Sequence, residues 1–233
     1  MFKGKKILGL IPARGGSKGL PQKNVKSLLG KPLIAWTFEQ SLASKYLDQV
    51  IVSTDDKEIA SVSERFGVKV PFVRSEELAT DEARMVDVVL HAINWFENND
   101  RIYDLIVLLQ PTSPTRITGD IDNAIELLFK KGASSIISVC EDGYPPFLSN
   151  TLPEDGSMKN FVKDEHLGKN RQELPQSFRI NGAVYVVYSD YLKKEKEFLG
   201  NNTYAYIMPG NRSIDIDNMI DFKLAELILQ ESL

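Results

Sequence analysis

The sequence predicts an α/β domain built on a mostly parallel sheet with helices on both faces. Two observations carry that expectation. Short apolar, β-branched runs alternate with amphipathic helical patterns from Lys6 to Val139. The chain also has 233 residues, 42% of them hydrophobic and 26% charged, which suits one large domain with a sizeable core. In sheets of this kind ligands sit beyond the carboxyl ends of the strands. The polar loops Ala13–Asn24, Thr54–Asp56 and Gln110–Arg116 each follow an apolar run, so they should converge on one crevice.

The elements follow in order. Lys6–Ile11 reads as a buried strand, and Leu33–Ala43 as a helix with Leu33, Ile34, Phe38 and Leu42 on one face. Gln49–Ser53 is a β-branched strand running into Thr54-Asp55-Asp56, a helix-capping sequence, then a short helix Glu58–Phe66 closed by Gly67. Val68–Val73 reads as strand, Val86–Phe96 as an amphipathic helix, and Leu105–Leu109 as a strand stopped by Gln110-Pro111. Ile121–Lys131 is a helix closed by Gly132, Ser135–Val139 a strand, Val184–Tyr188 and Thr203–Met208 further strands, and Asp217–Leu229 the closing helix. Residues 142–180 break the alternation, being rich in Pro, Gly, Asn and charge with Tyr144, Phe147, Phe161 and Phe178 among them. Loops this long without regular structure usually serve a function, and a partner-facing arm is expected.

A net charge of −4 argues against a general nucleic-acid binder. The single cysteine, Cys140, has no intrachain partner and reads as core packing, which points to a reducing compartment. No apolar run approaches the ~18 residues of a membrane span, and the first residues do not read as a signal peptide. The expectation is a cytoplasmic enzyme that binds neither membrane nor nucleic acid.

Four segments carry chemistry. Ile11-Pro-Ala-Arg-Gly-Gly-Ser-Lys-Gly-Leu-Pro-Gln-Lys-Asn24 places Arg14, Lys18 and Lys23 beside Gly15, Gly16 and Gly19. Glycine lets backbone N–H groups turn toward a ligand and approach it closely. Consecutive N–H groups make an anion-binding concavity, and Arg and Lys add charge and directional donors for phosphate. The loop matches neither the Walker pattern nor the dinucleotide fingerprint. Ser213-Ile-Asp-Ile-Asp217 alternates carboxylates with isoleucines; on an extended segment Asp215 and Asp217 project together. Their repulsion calls for a bridging cation, and Mg²⁺ favours one or two carboxylates plus substrate phosphates. A competing reading makes Asp217 the N-cap of the last helix, which leaves Asp215 unexplained. In Gln110-Pro-Thr-Ser-Pro-Thr-Arg116 the Gln, Thr, Ser and Arg side chains would line the crevice. Arg171, Arg179 and Asn181 surround Leu174-Pro175-Gln176; a solvated basic surface is the simpler reading, and capture of a sugar carboxylate the sharper one. His91 and His166 are isolated, and no zinc spacing or Ser/His/Asp set is visible.

With these segments in view, the chain resembles the acylneuraminate cytidylyltransferases, which make CMP-sialic acids and related CMP-activated nonulosonic acids. Val52–Asp55, Arg74 with Glu77–Asp81, and Arg171–Tyr185 complete the likeness, in family order along nearly the whole chain. The resemblance implies a single nucleotidyltransferase domain over 1–233, Rossmann-like and of the nucleotide-diphospho-sugar transferase type, with an inserted dimerisation arm over 142–182. It implies a homodimer, Mg²⁺ as cofactor, and attack of the anomeric hydroxyl of a 2-keto nine-carbon sugar acid on the α-phosphorus of CTP, with pyrophosphate leaving. Arg14, Lys18 and Lys23 would hold and polarise the triphosphate, helped by Ala13, Gly15, Ser17 and Asn24, with Asp217 completing the catalytic set. Arg74 and the backbone near Ala83 would meet the cytosine. Asp215 and Asp217 would carry Mg²⁺. Gln110, Ser113, Arg171, Asn181 and Tyr185 would face the acid, and Arg179 would reach into the other subunit's site. Gly19-Leu-Pro-Gln-Lys-Asn24 departs from the Kdo-activating relatives, whose loop continues Arg-Leu-Pro-Gly-Lys-Pro. Phe147 stands where some sialic-acid enzymes have Lys, which makes a diacylated acid such as legionaminic acid a serious competitor to N-acetylneuraminic acid as the substrate. Arg84-Met85 replaces a small hydroxyl residue near the cytosine. A nucleotide-binding regulator and a sugar-1-phosphate nucleotidyltransferase are the competing readings.

Overall fold

The computed structural model describes residues 1–16 and 19–232. In chain order the elements are β1 (Ile7–Pro12), a small hairpin of β2 (Ser27–Leu28) and β3 (Lys31–Pro32), α1 (Leu33–Leu42), β4 (Gln49–Ser53), α2 (Lys57–Arg65), α3 (Met85–Glu97), β5 (Leu105–Leu108), α4 (Thr118–Lys131), β6 (Ser135–Glu141), β7 (Phe178–Tyr188), α5 (Ser189–Glu195), β8 (Thr203–Met208) and α6 (Met219–Ser232). Six strands form one sheet in the order β4-β1-β5-β7-β6-β8. β4, β1 and β5 pair in parallel, as do β6 and β8; β7 runs against both of its neighbours. The sheet is thus mostly parallel, as expected, with one reversed strand.

The strands are apolar on both faces because both faces are covered. Along β1, Ile7 and Ile11 pack into a core with α1, α2 and α4, while Leu8 and Leu10 face the opposite core with α3. A third cluster joins Leu28, Leu33 and Trp36 to Ile216, Phe222 and Leu229. It seats the C-terminal helix beside the first loop.

The β2–β3 hairpin and α5 are not among the expected elements, and α4 begins three residues early; three further differences have a clear physical reason. Val68–Val73 makes only isolated bridges, Lys69 to Ile51 and Val73 to Thr54. Pro71 in its middle lacks the N–H a strand needs. β7 begins at Phe178 rather than Val184 and passes through an irregularity opposite Ser138. α6 begins at Met219: Asn218 Oδ1 accepts from Ile220 N (2.8 Å) and Asp221 N (3.1 Å). The cap is therefore Asn218, and the Asp217 side chain is free of that duty. Residues 142–177 contain only short 3-10 turns, at Pro146–Leu148, Asp164–His166 and Arg171–Glu173. Among the described residues no helix is long and apolar enough to cross a membrane.

Candidate active site

β1, β4 and β5 all end at one edge of the sheet, with Pro12 opposite Ser53 and Leu10 opposite Leu108. Because β7 is reversed, its first residues reach the same edge, where Arg179 pairs with Cys140 and Ile180 with Val139. A cleft of about 410 Å³ opens there, lined among others by Arg14, Lys23, Asn24, Arg74, Gln110 and Asp217. Residues far apart in sequence are thereby brought together.

The first loop meets the aspartate segment directly. Lys23 Nζ donates to Ile216 O (2.6 Å) and to Asp217 Oδ1 (3.2 Å). A side chain at Gly19 would collide with the carbonyl oxygen of Asp217, so glycine is needed for the approach. Asn24 is buried and donates from Nδ2 to Arg14 O (3.1 Å), which ties the loop to the turn that follows it. Gly15 N donates to Asp55 Oδ1 (3.1 Å), and Ala13 N to Ser53 O (3.0 Å). The Arg14 guanidinium pairs with Asp81. Asp81 belongs to the stretch that carried the resemblance, but sequence reasoning gave it no role; an acid within reach of a cation-rich loop was its only signal. Ser17 and Lys18, both expected to hold phosphate, lie outside the described residues.

Arg74 is buried and bonds the hydroxyl (3.1 Å) and carbonyl of Ser53. Burial brings its guanidinium down to about 10, with Asp55 opposing and Arg14 adding to the shift. It remains a cation at neutral pH. Ala83 is half-buried just before α3. Its neighbour Met85 lines the cleft, whereas Arg84 turns away to Lys196 O (3.0 Å) and Glu197.

Ile216 is fully buried and Ile214 partly so, but Ser213, which closes a 3-10 turn, is fully buried as well, so the expected alternation does not extend to Ser213. Asp217 is exposed. Asp215 is half-buried, and its Oδ1 is enclosed without a hydrogen-bond partner. Burial holds the Asp215 carboxyl above the usual carboxylate range, Asp217 adds to the rise, and Thr112, Lys23 and Arg179 oppose it. Ile216 N donates to Thr112 O (2.9 Å), which joins this segment to the Gln110 loop.

The residues expected at the sugar acid are distributed unevenly. Gln110 lines the cleft, and its amide oxygen lies where a side chain at Gly182 (φ 73°) would sit. Tyr185 is half-buried against Phe198; burial raises its phenol, and nearby Asp215 adds to that. Ser113 is fully buried with its Oγ unpartnered. Asn181 is buried and bonded within the protein. Arg179 turns onto its own chain, Nη2 to Ser213 O at 3.5 Å, rather than away from it. Arg171 lies on the segment after β6, in a separate cleft of about 550 Å³ with Gly143, Pro145 and Leu174. Arg116, expected to line the crevice, points inward. It is 1% exposed and donates to Ala183 O (2.7 Å), Gln110 O (3.3 Å), Thr37 Oγ1 (2.8 Å) and Gln40 Oε1 (3.0 Å).

This geometry can be set beside known proteins. A family model described as cytidylyltransferase matches residues 8–198. The chain is 35% identical over 228 residues to a CMP-N,N'-diacetyllegionaminic acid synthase of Legionella pneumophila, covering 97% of each. It is 32% identical over 223 residues to a pseudaminic acid cytidylyltransferase of Campylobacter jejuni, covering 96% of each. It is 35% identical over 227 residues to an N-acylneuraminate cytidylyltransferase of Escherichia coli, of which it spans only 52%. Among solved structures, a CMP:2-keto-3-deoxy-manno-octonic acid synthetase complexed with CTP superposes with a TM-score of 0.73 at 16% identity, over 98% of this chain and all of that one. At that identity the likeness speaks for the fold. With the family model spanning most of the sequence, the chain belongs to the cytidylyltransferase family.

Proposed function

We propose that the chain transfers the cytidylyl group of CTP to a nonulosonic acid, releasing pyrophosphate. The observation that carries this reading is the meeting of Lys23 and Asp217 in a cleft that also holds Arg14, Asn24 and Arg74. Cations and the Asp217 carboxylate line a cleft of about 410 Å³, within the size range of small-molecule sites. Transfer at phosphorus is catalysed mainly by positioning and electrostatic stabilisation, so no covalent nucleophile is required. On this reading Arg14 exchanges Asp81 for phosphate oxygens. Lys23, anchored by Ile216 O, presents its charge to the α-phosphoryl group, and Arg74 stands at the base of the nucleotide pocket. The acid's anomeric hydroxyl oxygen bonds to the α-phosphorus as the bond to the β-phosphate oxygen breaks; the hydroxyl proton is released to solvent and pyrophosphate leaves with the bonding pair.

Asp215 and Asp217 fit a Mg²⁺ ion. Asp215 offers a buried, unpartnered oxygen and Asp217 an exposed one. Mg²⁺ typically takes one or two carboxylates and completes its shell with phosphates and water. When bound, it would clamp phosphate oxygens and offset their charge.

The acid would enter beside Gln110, with Arg179 and Tyr185 around Asp215. The relative named for N,N'-diacetyllegionaminic acid, which matches over nearly its whole length, and the apolar Phe147 where the arm opens support a diacylated acid over N-acetylneuraminic acid. Pyrophosphate release, followed with CTP, Mg²⁺ and a panel of nonulosonic acids and sugar 1-phosphates, tests both levels. The expected result is turnover with CTP and the highest kcat/KM for a diacylated acid. Turnover only with sugar phosphates, or with none of the panel, would overturn the activity; a strong preference for N-acetylneuraminic acid would overturn the finer reading.

A further inference from the structure

The irregularity in β7 contains a buried polar relay. Between the pairs Ile137–Tyr185 and Val139–Ile180, Ser138 alone faces Asn181, Gly182, Ala183 and Val184. Ser138 Oγ donates to Asn181 Oδ1 (2.6 Å) and accepts from Val184 N (2.8 Å). Asn181 Oδ1 also accepts from Ala183 N (3.2 Å), while Nδ2 donates to Ser213 Oγ (2.8 Å) and contacts the Met208 sulfur (3.4 Å). Ser213 Oγ in turn donates to Pro209 O (2.9 Å). Ser138 and Ser213 are fully buried, and Asn181 is 1% exposed. An asparagine amide has two N–H donors and two lone pairs on its oxygen. Here both lone pairs are filled and the donors face Ser213 and Met208, so none is left for a substrate.

Ser213 lies two residues before Asp215, which in turn lies two before Asp217. The hydroxyl held by Asn181 therefore anchors the residue at which the chain leaves the 3-10 turn Gly210–Arg212 and enters the segment carrying the two carboxylates. Arg179, two residues before Asn181 on β7, reaches the carbonyl of the same Ser213. Further along, Thr112 O accepts from Ile216 N and Lys23 donates to Ile216 O. Most of these grips fall on the backbone or on Ser213; Lys23 also reaches Asp217 Oδ1 and Thr112 bonds the Asp215 carboxyl, while the Asp215 Oδ1 oxygen stays uncommitted.

We propose that Asn181, with Ser138 and Ser213, is a positioning residue that sets the Asp215–Asp217 pair for a divalent cation, and does not itself touch the sugar acid. The inference rests on the cation assignment made under the proposed function. Groups that orient metal ligands typically govern affinity by 10–100-fold, and a fully satisfied buried network is rigid enough to do so.

The test uses the full chain with Ser213→Ala, Ser138→Ala and Asn181→Ala, and Mn²⁺ as a paramagnetic substitute for Mg²⁺. Mn²⁺ held by the protein in the presence of CTP, above that held by CTP alone, is measured by electron paramagnetic resonance without any acid. In parallel, KM for the acid and the thermal midpoint are recorded. The expected result is Mn²⁺ affinity weakened about tenfold or more in Ser213→Ala and Asn181→Ala, with KM for the acid within about twofold of the parent. Unchanged Mn²⁺ affinity with a raised KM for the acid in Asn181→Ala would overturn the proposal, as would a parent protein that adds no Mn²⁺ binding to that of CTP. If Asn181→Ala does not fold, the two serine variants decide, since each removes one oxygen. Weakened Mn²⁺ binding in a protein that turns over no acid would support the positioning role while sinking the activity, so the two failures are distinguishable.

Discussion

At the scale of residues, the two aspartates of the Ser213–Asp217 segment are asked to do different things. Asp217 is 77% exposed and paired with Lys23 at 3.2 Å, while Asp215 is half-buried with one oxygen unpartnered. An exposed ion pair is worth about 0–1 kcal/mol, so Asp217→Asn should leave the thermal midpoint nearly unchanged. It should lower kcat on the order of 10²–10³-fold, the loss typical of one preorganised electrostatic contact at a reacting phosphate or carbonyl. Steady-state kinetics with a melting curve checks this, and near-parental kcat would remove Asp217 from the site. Asp215→Asn should raise the midpoint in the absence of divalent cations. Its carboxyl is held above the usual range by burial and by Asp217, so ionisation in the folded state at neutral pH works against folding, and the amide removes that cost. The sign follows from linkage: a raised carboxyl favours the folded state at pH below the unfolded value, and that advantage is lost as pH rises through the folded one. The stabilisation by Asp215→Asn should therefore be present at pH 7 and fade at pH below the ordinary carboxylate range. A midpoint lowered at pH 7 would refute it. Much of this was legible in sequence, because the Asp-Ile-Asp alternation states a shared face and the cation-rich loop states an anion. What was not legible is which polar residues look inward. Arg116 and Asn181 have the composition of a binding site, and only the packing of α1 and the irregularity of β7 turn them away from it.

At the scale of elements, Arg116 shows why the crevice keeps its shape. Its guanidinium, brought down to about 9 by burial with Asp120 opposing, joins the Gln110 loop to β7 through Ala183 O and to α1 through Thr37 and Gln40. Arg116→Met approximates the length without the donors. Leaving even one buried acceptor without a donor costs about 1–3 kcal/mol, so urea unfolding should show a lowered midpoint at unchanged slope. The opposite result, a variant as stable as the parent, would mean that relief from burying an uncompensated charge outweighs the lost bonds, as happens for some buried ion pairs. The parallel part of the sheet was readable because each buried strand is continuously apolar and each helix carries one apolar face. The reversal of β7 was not: antiparallel direction leaves no periodic signal, and Asn181-Gly182 disguises the strand as a turn. The Pro71 stretch erred the other way, since its β-branched residues suggest a ladder that proline cannot complete.

At the scale of the whole molecule, the segment between β6 and β7 remains to be explained by anything inside a single chain. It exposes Tyr144, Leu152, Met158 and Leu167, each at least 59% exposed, and Phe178 and Ile180 of β7 are exposed as well. Monomeric proteins rarely leave large contiguous apolar patches uncovered. Arg171, which the resemblance places at the acid, lies on this segment in a cleft apart from Lys23 and Asp217. A second copy of the chain answers both facts, because in a two-fold dimer the same patch covers itself and each arm can serve the other subunit. Sedimentation equilibrium should therefore show a dimer, and Leu152→Asp combined with Met158→Asp should shift it toward monomer. Mixing distinguishes an arm that serves its own site from one that crosses. Arg171→Ala and Asp217→Asn should each be weakly active alone, and dissociating and reassociating them together should restore turnover, because a mixed dimer then holds one site with both an intact Asp217 and an intact Arg171. No recovery on mixing, with dimers present, would assign Arg171 to the chain that carries it.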